Sequence, residues 1–189
     1  FGAVRVPVKY GGDGLSLPQL FQLLTELAKA DSNVIQALRG HFAFVEDRLI
    51  AHRDQNQQVW FKRFVQGDLV GNAWTEVGSV KIGDVLTRVT RNAQGQLEVN
   101  GSKYYSTGSI FADWIDLYAY DDVNQRAVIA AVNRHDQGVS VLDYWEEKKK
   151  KTTGSGTLTL KNVPVEDSHL IAFEDRFKYQ TAYYQQFHL

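Results

Sequence analysis

The sequence predicts an α+β protein in which a helical region is followed by a β-rich region and then by the start of a second helical region. Apolar residues recur at helical spacing up to about residue 66, and strand-like segments follow at roughly 8–12-residue spacing to about residue 172. We therefore divide the chain into a partial amino-terminal helical domain (1–66), a middle β-domain (67–172) and the truncated start of a carboxyl-terminal helical domain (173–189).

The composition is that of a globular protein, since 43% of the 189 residues are hydrophobic, 23% are charged and the net charge is −1. The absence of cysteine excludes disulfides, thiolate zinc sites and cysteine nucleophiles. The charge gives no support for nucleic-acid binding, and no apolar run reaches the roughly 20 residues of a membrane span. No secretory signal is visible, so we expect a cytoplasmic protein. Methionine is absent and the chain opens on Phe1, so we expect part of a longer protein.

Three helices are predicted in the first region. Ser16 is placed to cap the first helix, with Gln19 three residues later completing a capping box. Its apolar side then repeats at helical spacing through Leu20, Leu23, Leu24 and Leu27, and the helix ends near Asp31. A second helix from about Ser32 has an apolar side formed by Val34, Ile35, Leu38, Phe42, Val45 and Leu49. A third, short helix is expected over residues 57–65.

The middle region predicts an antiparallel sandwich or barrel. A strand over residues 85–90 and a turn at 92–96 lead back into a strand from Leu97, and Asn100-Gly101 marks a second turn before more strand. Further strands are expected over residues 115–120, 127–132, 139–142 and 157–160.

Three ordered motifs narrow the prediction. The first is Gly71-Asn72-Ala73-Trp74-Thr75-Glu76-Val77-Gly78-Ser79. The second is Gly101-Ser102-Lys103-Tyr104-Tyr105-Ser106-Thr107-Gly108, followed by Ala112-Asp113-Trp114. The third is Thr152-Thr153-Gly154-Ser155-Gly156-Thr157, which runs into Asn162-Val163-Pro164. In this order they resemble the middle β-domain of the acyl-CoA dehydrogenase superfamily, and the resemblance implies that fold for the whole chain.

Within the superfamily, the chain resembles the dibenzothiophene monooxygenase group. The dehydrogenases carry a longer Thr-Glu-Pro flavin loop with an Asp, whereas here Thr75-Glu76 continues as Val77-Gly78-Ser79-Val80. The resemblance implies a flavin-dependent monooxygenase that takes reduced FMN from a separate flavin reductase. With O2 it would form a C4a-hydroperoxyflavin and oxygenate a sulfur or nitrogen atom of a small organic substrate. The resemblance also suggests a homotetramer built through the missing helical domain.

Other interpretations remain open. The cofactor could be FAD, and the protein could be an FAD-dependent acyl-CoA dehydrogenase whose catalytic Glu belongs to the carboxyl-terminal helical domain. A non-catalytic fragment is the third possibility. A loop over residues 144–151, ending in four lysines, departs from the family; a phosphate-binding role and a solvated loop are both compatible with it.

The resemblance places the flavin against two segments. A flavin ring needs an apolar wall and donors at its N5 and carbonyl edge. The expected cofactor-binding residues are Asn72, Ala73, Trp74, Thr75, Glu76, Tyr105, Ser106 and Thr107.

His41 is the predicted catalytic residue, since an imidazole facing an apolar pocket can hydrogen-bond a flavin peroxide or accept a substrate proton. A satisfied core or interface histidine is the other interpretation. His52, His135 and His169 are expected at the surface, and no grouping has the spacing of metal ligands, so no metal is predicted.

Overall fold

The computed structural model describes residues 1–77, 84–142 and 155–177. In these ranges the helices are α1 Leu17–Ala30, α2 Ser32–Ala51, α3 Gln58–Gln66 and α4 Phe173–Phe177, with short 3-10 turns at Val8–Tyr10 and Asp167–His169. The strands are β1 Val70–Ala73, β2 Arg88–Arg91, β3 Leu97–Ser106, β4 Trp114–Asp121, β5 Arg126–Asn133, β6 Val139–Leu142, β7 Gly156–Pro164 and β8 Leu170–Ala172. The loop at 144–151 and His188 lie outside the described residues.

The three predicted helices are confirmed. At the start of α1 the Ser16 backbone N–H donates to Gln19 Oε1 at 2.8 Å, and Gln19 N donates to Ser16 Oγ at 3.5 Å, so the capping box forms as expected. α1 then packs on α2 through a core of Val4, Leu20, Leu24 and Phe42. α3 is followed by Gly67, which caps its carboxyl end with a φ of +108°, the left-handed conformation that glycine tolerates.

The strands form one eight-stranded sheet whose order is β6-β7-β3-β2-β4-β5-β8, with β1 also paired to β4. Most strand pairs among the described residues are antiparallel, as predicted, but two pairs are parallel. β1 runs parallel to the first half of β4, where Val70 lies opposite Trp114, and β2 runs parallel to its end, where Arg88 lies opposite Tyr120. Turn signals in a sequence report only strands that are consecutive, whereas these parallel pairs join strands separated along the chain.

Two local predictions also need correction. The strand expected from residue 85 begins only at Arg88, because the N–H groups of Leu86 and Thr87 donate to a side chain, Glu76. The expected turn at Asn100-Gly101 is absent, and β3 continues through it with an irregularity in its pairing. Gly101 has a φ of +154°, and a Cβ there would lie 2.5 Å from the Thr87 hydroxyl, so the close approach of Thr87 to β3 requires glycine.

Two cores connect these elements. The larger one contains only residues from β-strands and the loops between them, including Val99, Ile115, Leu117 and Leu158, so the sheet packs mainly on itself. The second joins the helices to the sheet through an aromatic group that contains Phe44, Trp60, Phe61, Phe64 and Trp114. Within the described ranges, no helix is long and apolar enough to cross a membrane.

Candidate functional site

The two segments predicted to bind a flavin lie side by side at the end of β3. The Asn72 N–H donates to the Thr107 carbonyl at 3.0 Å, and the Tyr104 N–H donates to the Thr75 carbonyl at 2.8 Å. Gly108 has a φ of +73°, and a Cβ there would lie 2.4 Å from the carbonyl oxygen of Ala37, so α2 passes directly over this strand end. Residues far apart in the sequence therefore meet at one place.

The strand end presents an aromatic ring next to hydroxyl groups. Tyr105 is 69% exposed and has a φ of +56°, a conformation that costs a non-glycine residue on the order of 1 kcal/mol and persists where its surroundings enforce it. Ser106 and Thr107 are buried beside it. Among the described residues the Ser106 hydroxyl has no hydrogen-bond partner, while the Thr107 hydroxyl donates weakly to the Tyr105 carbonyl at 3.4 Å. A hydroxyl group without a hydrogen-bond partner among the described residues therefore lies beside an exposed aromatic ring.

In the first segment, two side chains are held by other parts of the protein. Ala73 is fully buried in the sheet core. The Trp74 indole N–H donates to Asp116 Oδ2 at 3.3 Å, and its ring stacks on Tyr118 at a centroid distance of 5.9 Å and contacts Phe173 edge-on. These two side chains are held by the protein itself, whereas Thr75 is exposed.

Glu76 is the centre of a dense hydrogen-bond network. Its carboxylate accepts from the N–H groups of Leu86 and Thr87 at 2.7 and 2.9 Å, from the Thr87 hydroxyl at 2.7 Å and from Lys103 Nζ at 2.7 Å. Burial alone would raise the pKa of Glu76, but the hydrogen bonds from Leu86, Lys103 and Thr87 lower it to about 2. Burial lowers the pKa of Lys103, and Glu76 opposes that effect.

Lys103 was missed in the sequence analysis, although a signal for it exists. Along β3, Leu97, Val99, Gly101 and Lys103 fall on alternate positions of one strand and therefore on one face. Lys103 lies on the buried side of this strand with its side chain fully covered. A lysine at an inward position requires an acidic partner, which the chain supplies in Glu76.

The structure places His41 in the interior with both ring nitrogens occupied. The Val70 N–H donates to Nδ1 at 3.2 Å, so Nε2 carries the ring proton and donates to the Gly2 carbonyl at 2.8 Å. Burial lowers the pKa of His41 to about 4, against an opposing effect of the Gly2 hydrogen bond. The ring also contacts Phe42 and Phe64 edge-on. This geometry favours a satisfied core histidine, and the catalytic role stays a prediction.

Gly40, the neighbour of His41, contacts the site directly. A Cβ at this position would lie 2.8 Å from the Cβ of Asn72, so α2 rests on β1 with no room for a side chain between them. His41, the residue after Gly40, connects the same helix to the same strand by accepting a hydrogen bond from the Val70 N–H.

The remaining histidines differ in burial. His135 is exposed, as predicted. His52 is half-buried, where it accepts from the Gln57 N–H at 3.0 Å and bonds the Tyr10 hydroxyl at 2.8 Å. The prediction that His169 is a surface residue is wrong, because its ring packs against Trp60 and Trp114 and is 8% exposed. Within the described ranges, no group of three or more His, Asp or Glu is arranged to hold a metal.

An apolar groove of about 400 Å3 lies next to Gly108. It separates the first turns of α2 from the turn that follows β3, and its lining includes Val34, Leu38 and Phe111. Phe111 is 66% exposed, so the groove has an aromatic side chain at its edge.

Comparison with known proteins gives a consistent set of relatives. No protein-family model matches the chain. It is 27% identical over 182 residues to a dibenzothiophene monooxygenase of Rhodococcus erythropolis, covering 93% of this chain and 43% of the relative. It is 25% identical to the probable FMNH2-dependent monooxygenase SfnC of Pseudomonas putida, over 88% of this chain and 41% of the relative. A putative acyl-CoA dehydrogenase, YdbM of Bacillus subtilis, is 23% identical over 90% of this chain and 46% of its own length.

Solved structures lead to the same group. FMN-bound TdsC from Paenibacillus sp. A11-2 matches with a TM-score of 0.78 at 25% identity, over 90% of this chain and 44% of that chain. Methanesulfinate monooxygenase MsuC from Pseudomonas fluorescens matches with a TM-score of 0.73 at 26% identity, over 89% and 42%. The chain thus spans less than half the length of each of these proteins. It has the acyl-CoA dehydrogenase fold, and the predicted resemblance to flavin-dependent monooxygenases of the dibenzothiophene monooxygenase group is confirmed.

Proposed function

We propose that the full-length protein is a flavin-dependent monooxygenase that uses reduced FMN and O2 to oxygenate a sulfur or nitrogen atom of a small organic compound. The observation that carries this proposal is the meeting of residues 72–76 with residues 105–107 beside an exposed aromatic ring. The FMN-bound relative TdsC, and the dibenzothiophene and methanesulfinate monooxygenases among the similar proteins, support the cofactor and the substrate class.

The residues present fit a flavin. The exposed Tyr105 offers a ring face, and the unpartnered hydroxyl of Ser106 and the neighbouring Thr107 offer polar groups for the edge of an isoalloxazine. Asn72 and the exposed Thr75 flank them. When bound, reduced FMN supplies the two electrons for the activation of O2.

Ala73, Trp74 and Glu76 have supporting roles in this proposal. Each is held by other parts of the chain: Ala73 by the sheet core, Trp74 by Asp116 and Tyr118, and Glu76 by its four donors. They fix the backbone from which the exposed side chains project. The apolar groove beside Gly108 is the place where we expect the organic substrate, since it offers a mainly apolar lining next to the same strand end.

Four further parts of the proposal concern the whole protein. FMN is preferred to FAD, and its reduced form comes from a separate flavin reductase, because the relative SfnC is named as FMNH2-dependent. A homotetramer built through the carboxyl-terminal helical domain, and a cytoplasmic location, complete the proposal.

The test uses the full-length protein with reduced FMN under anaerobic conditions, followed by isotopically labelled O2 and dibenzothiophene as probe. We expect stoichiometric flavin binding and one labelled oxygen atom in the product, with the second oxygen atom released as water. Bleaching of oxidised bound flavin by an acyl-CoA without O2 would instead identify a dehydrogenase. Failure to bind any flavin would support a non-catalytic protein.

A further inference from the structure

A buried ion pair lies beneath the proposed flavin-binding surface. Glu76 and Lys103 are joined at 2.7 Å, and their side chains are 9% and 0% exposed. Burying two charges costs free energy that their attraction only partly returns, so such a pair is a weak source of stability. The pair does fix the positions of the two side chains, because neither charge can move without losing its partner.

The pair connects three segments of the chain. Glu76 follows β1, its donors Leu86 and Thr87 precede β2, and Lys103 belongs to β3. The carboxylate therefore holds residue 76 against Leu86 and Thr87 and ties both to β3. Thr75, the preceding residue, pairs with Tyr104, the residue after Lys103.

Lys103 is also the last regular position of β3 before a bulge. It lies opposite Leu158 of β7, and the next paired residue, Ser106, lies opposite Gly156, so β3 contains one extra residue in this interval. Tyr105 falls inside the bulge with its φ of +56°. The ion pair holds the strand before the bulge, and the Asn72–Thr107 hydrogen bond holds it afterwards.

We propose that Glu76 and Lys103 are positioning residues that fix the bulge at Tyr105 in the conformation that receives FMN, and that Glu76 itself does not bind the cofactor. This inference rests on the proposed function. Four donors already occupy the Glu76 carboxylate, and Lys103 is fully covered by protein, so both act through the backbone of Tyr105 and not by contact with the flavin.

The test measures the Kd for FMN in the full-length protein by the change in the flavin absorption spectrum on binding. We expect Glu76→Gln and Lys103→Met each to weaken binding about tenfold. Thr87→Val, which removes one of the four donors, should weaken it about twofold. The control is Glu26→Gln, which breaks an ion pair of the same 2.7 Å length whose side chains are more than 60% exposed, and it should leave the Kd unchanged.

A double-mutant cycle separates positioning from general damage. Tyr105→Asn removes the ring while tolerating the left-handed backbone. If Glu76 acts through Tyr105, the double variant Glu76→Gln/Tyr105→Asn binds FMN no more weakly than Tyr105→Asn alone. Additive losses would overturn the inference.

Three further outcomes separate the inference from the proposed function. If the unaltered protein binds no FMN, the proposed function fails. If it binds FMN and both Glu76→Gln and Lys103→Met keep its Kd within about twofold, positioning is wrong while the function stands. A fall in binding stoichiometry with unchanged Kd would also overturn positioning, since it reports only unfolded molecules. Should Glu76→Gln fail to fold, Lys103→Met decides the question.

Discussion

His41 and Glu76 each join three segments of the chain through buried hydrogen bonds, but the first does so as a neutral ring and the second as a charged group. The His41 junction consists of Gly2, His41 and Val70, and it ties the helical region to β1. The Glu76 junction consists of Glu76, Leu86, Thr87 and Lys103, and it ties three parts of the β-region together.

The difference shows how each region tolerates a buried polar group. The imidazole needs no counter-charge, because one nitrogen accepts and the other donates while the ring stays neutral. The carboxylate keeps its charge and therefore requires a buried lysine and three further donors. Acid consequently acts on the two junctions in different pH ranges.

The largest effect is expected from His41→Ala. It leaves the Gly2 carbonyl and the Val70 N–H without partners and opens a cavity beside Phe42 and Phe64, which should lower the free energy of unfolding by about 4 kcal/mol. Urea denaturation measures the change, with His135→Ala at an exposed position as control. Oxygen transfer per folded molecule should be retained. Its loss, with folding intact, would favour the catalytic role instead.

Acid should weaken the His41 junction before the Glu76 junction. The unfolded-state pKa of His41 is 6.5 and the folded-state pKa is about 4, so below pH 6.5 the unfolded chain binds a proton that the folded chain does not. The stability contribution is present above pH 6.5 and is lost as the pH falls to 4, by about 3 kcal/mol. Glu76, with its pKa lowered from 4.5 to about 2, contributes no loss until the pH falls below 4.5.

Urea unfolding of the protein and of His41→Gln, over the range between these two pKa values of His41, measures this effect. His169 contributes in the same direction, since burial also lowers its pKa, and for this reason the two slopes are compared. An equal slope in His41→Gln would show that the His41 junction is not the source.

The smallest effect is expected from Thr87→Val, which tests the Glu76 junction. The variant keeps the shape of the side chain and the backbone donor at 2.9 Å but removes the hydroxyl donor at 2.7 Å. Stability should fall by about 1 kcal/mol, with no change in its dependence on pH between 6.5 and 4.5. A loss as large as that of His41→Ala would mean that the hydroxyl, and not the ion pair, holds the junction.

Local signals in the sequence predicted much of the fold and part of the site. Ser16 and Gln19 define a helix start by their spacing, and the ordered motifs around Asn72 and Tyr105 predicted which segments would meet. The environments of Glu76 and His169 could not be predicted in this way. Glu76 depends on Lys103, 27 positions away, and His169 on Trp60, so their burial is set by tertiary packing.

The glycine at position 40 has a consequence for hybrid proteins that combine segments of related chains. Because Gly40 of α2 lies against the Cβ of Asn72 with no room for a side chain on the helix, the helical and β-regions are in close contact where the candidate site begins. The secondary structure changes from helices to strands near residue 66, but we do not expect this position to be a suitable junction for joining segments of two proteins. A hybrid that joins the helices of a relative to the sheet of this protein would need a glycine at the position of Gly40. With any larger residue there, the strand carrying Asn72 would be displaced.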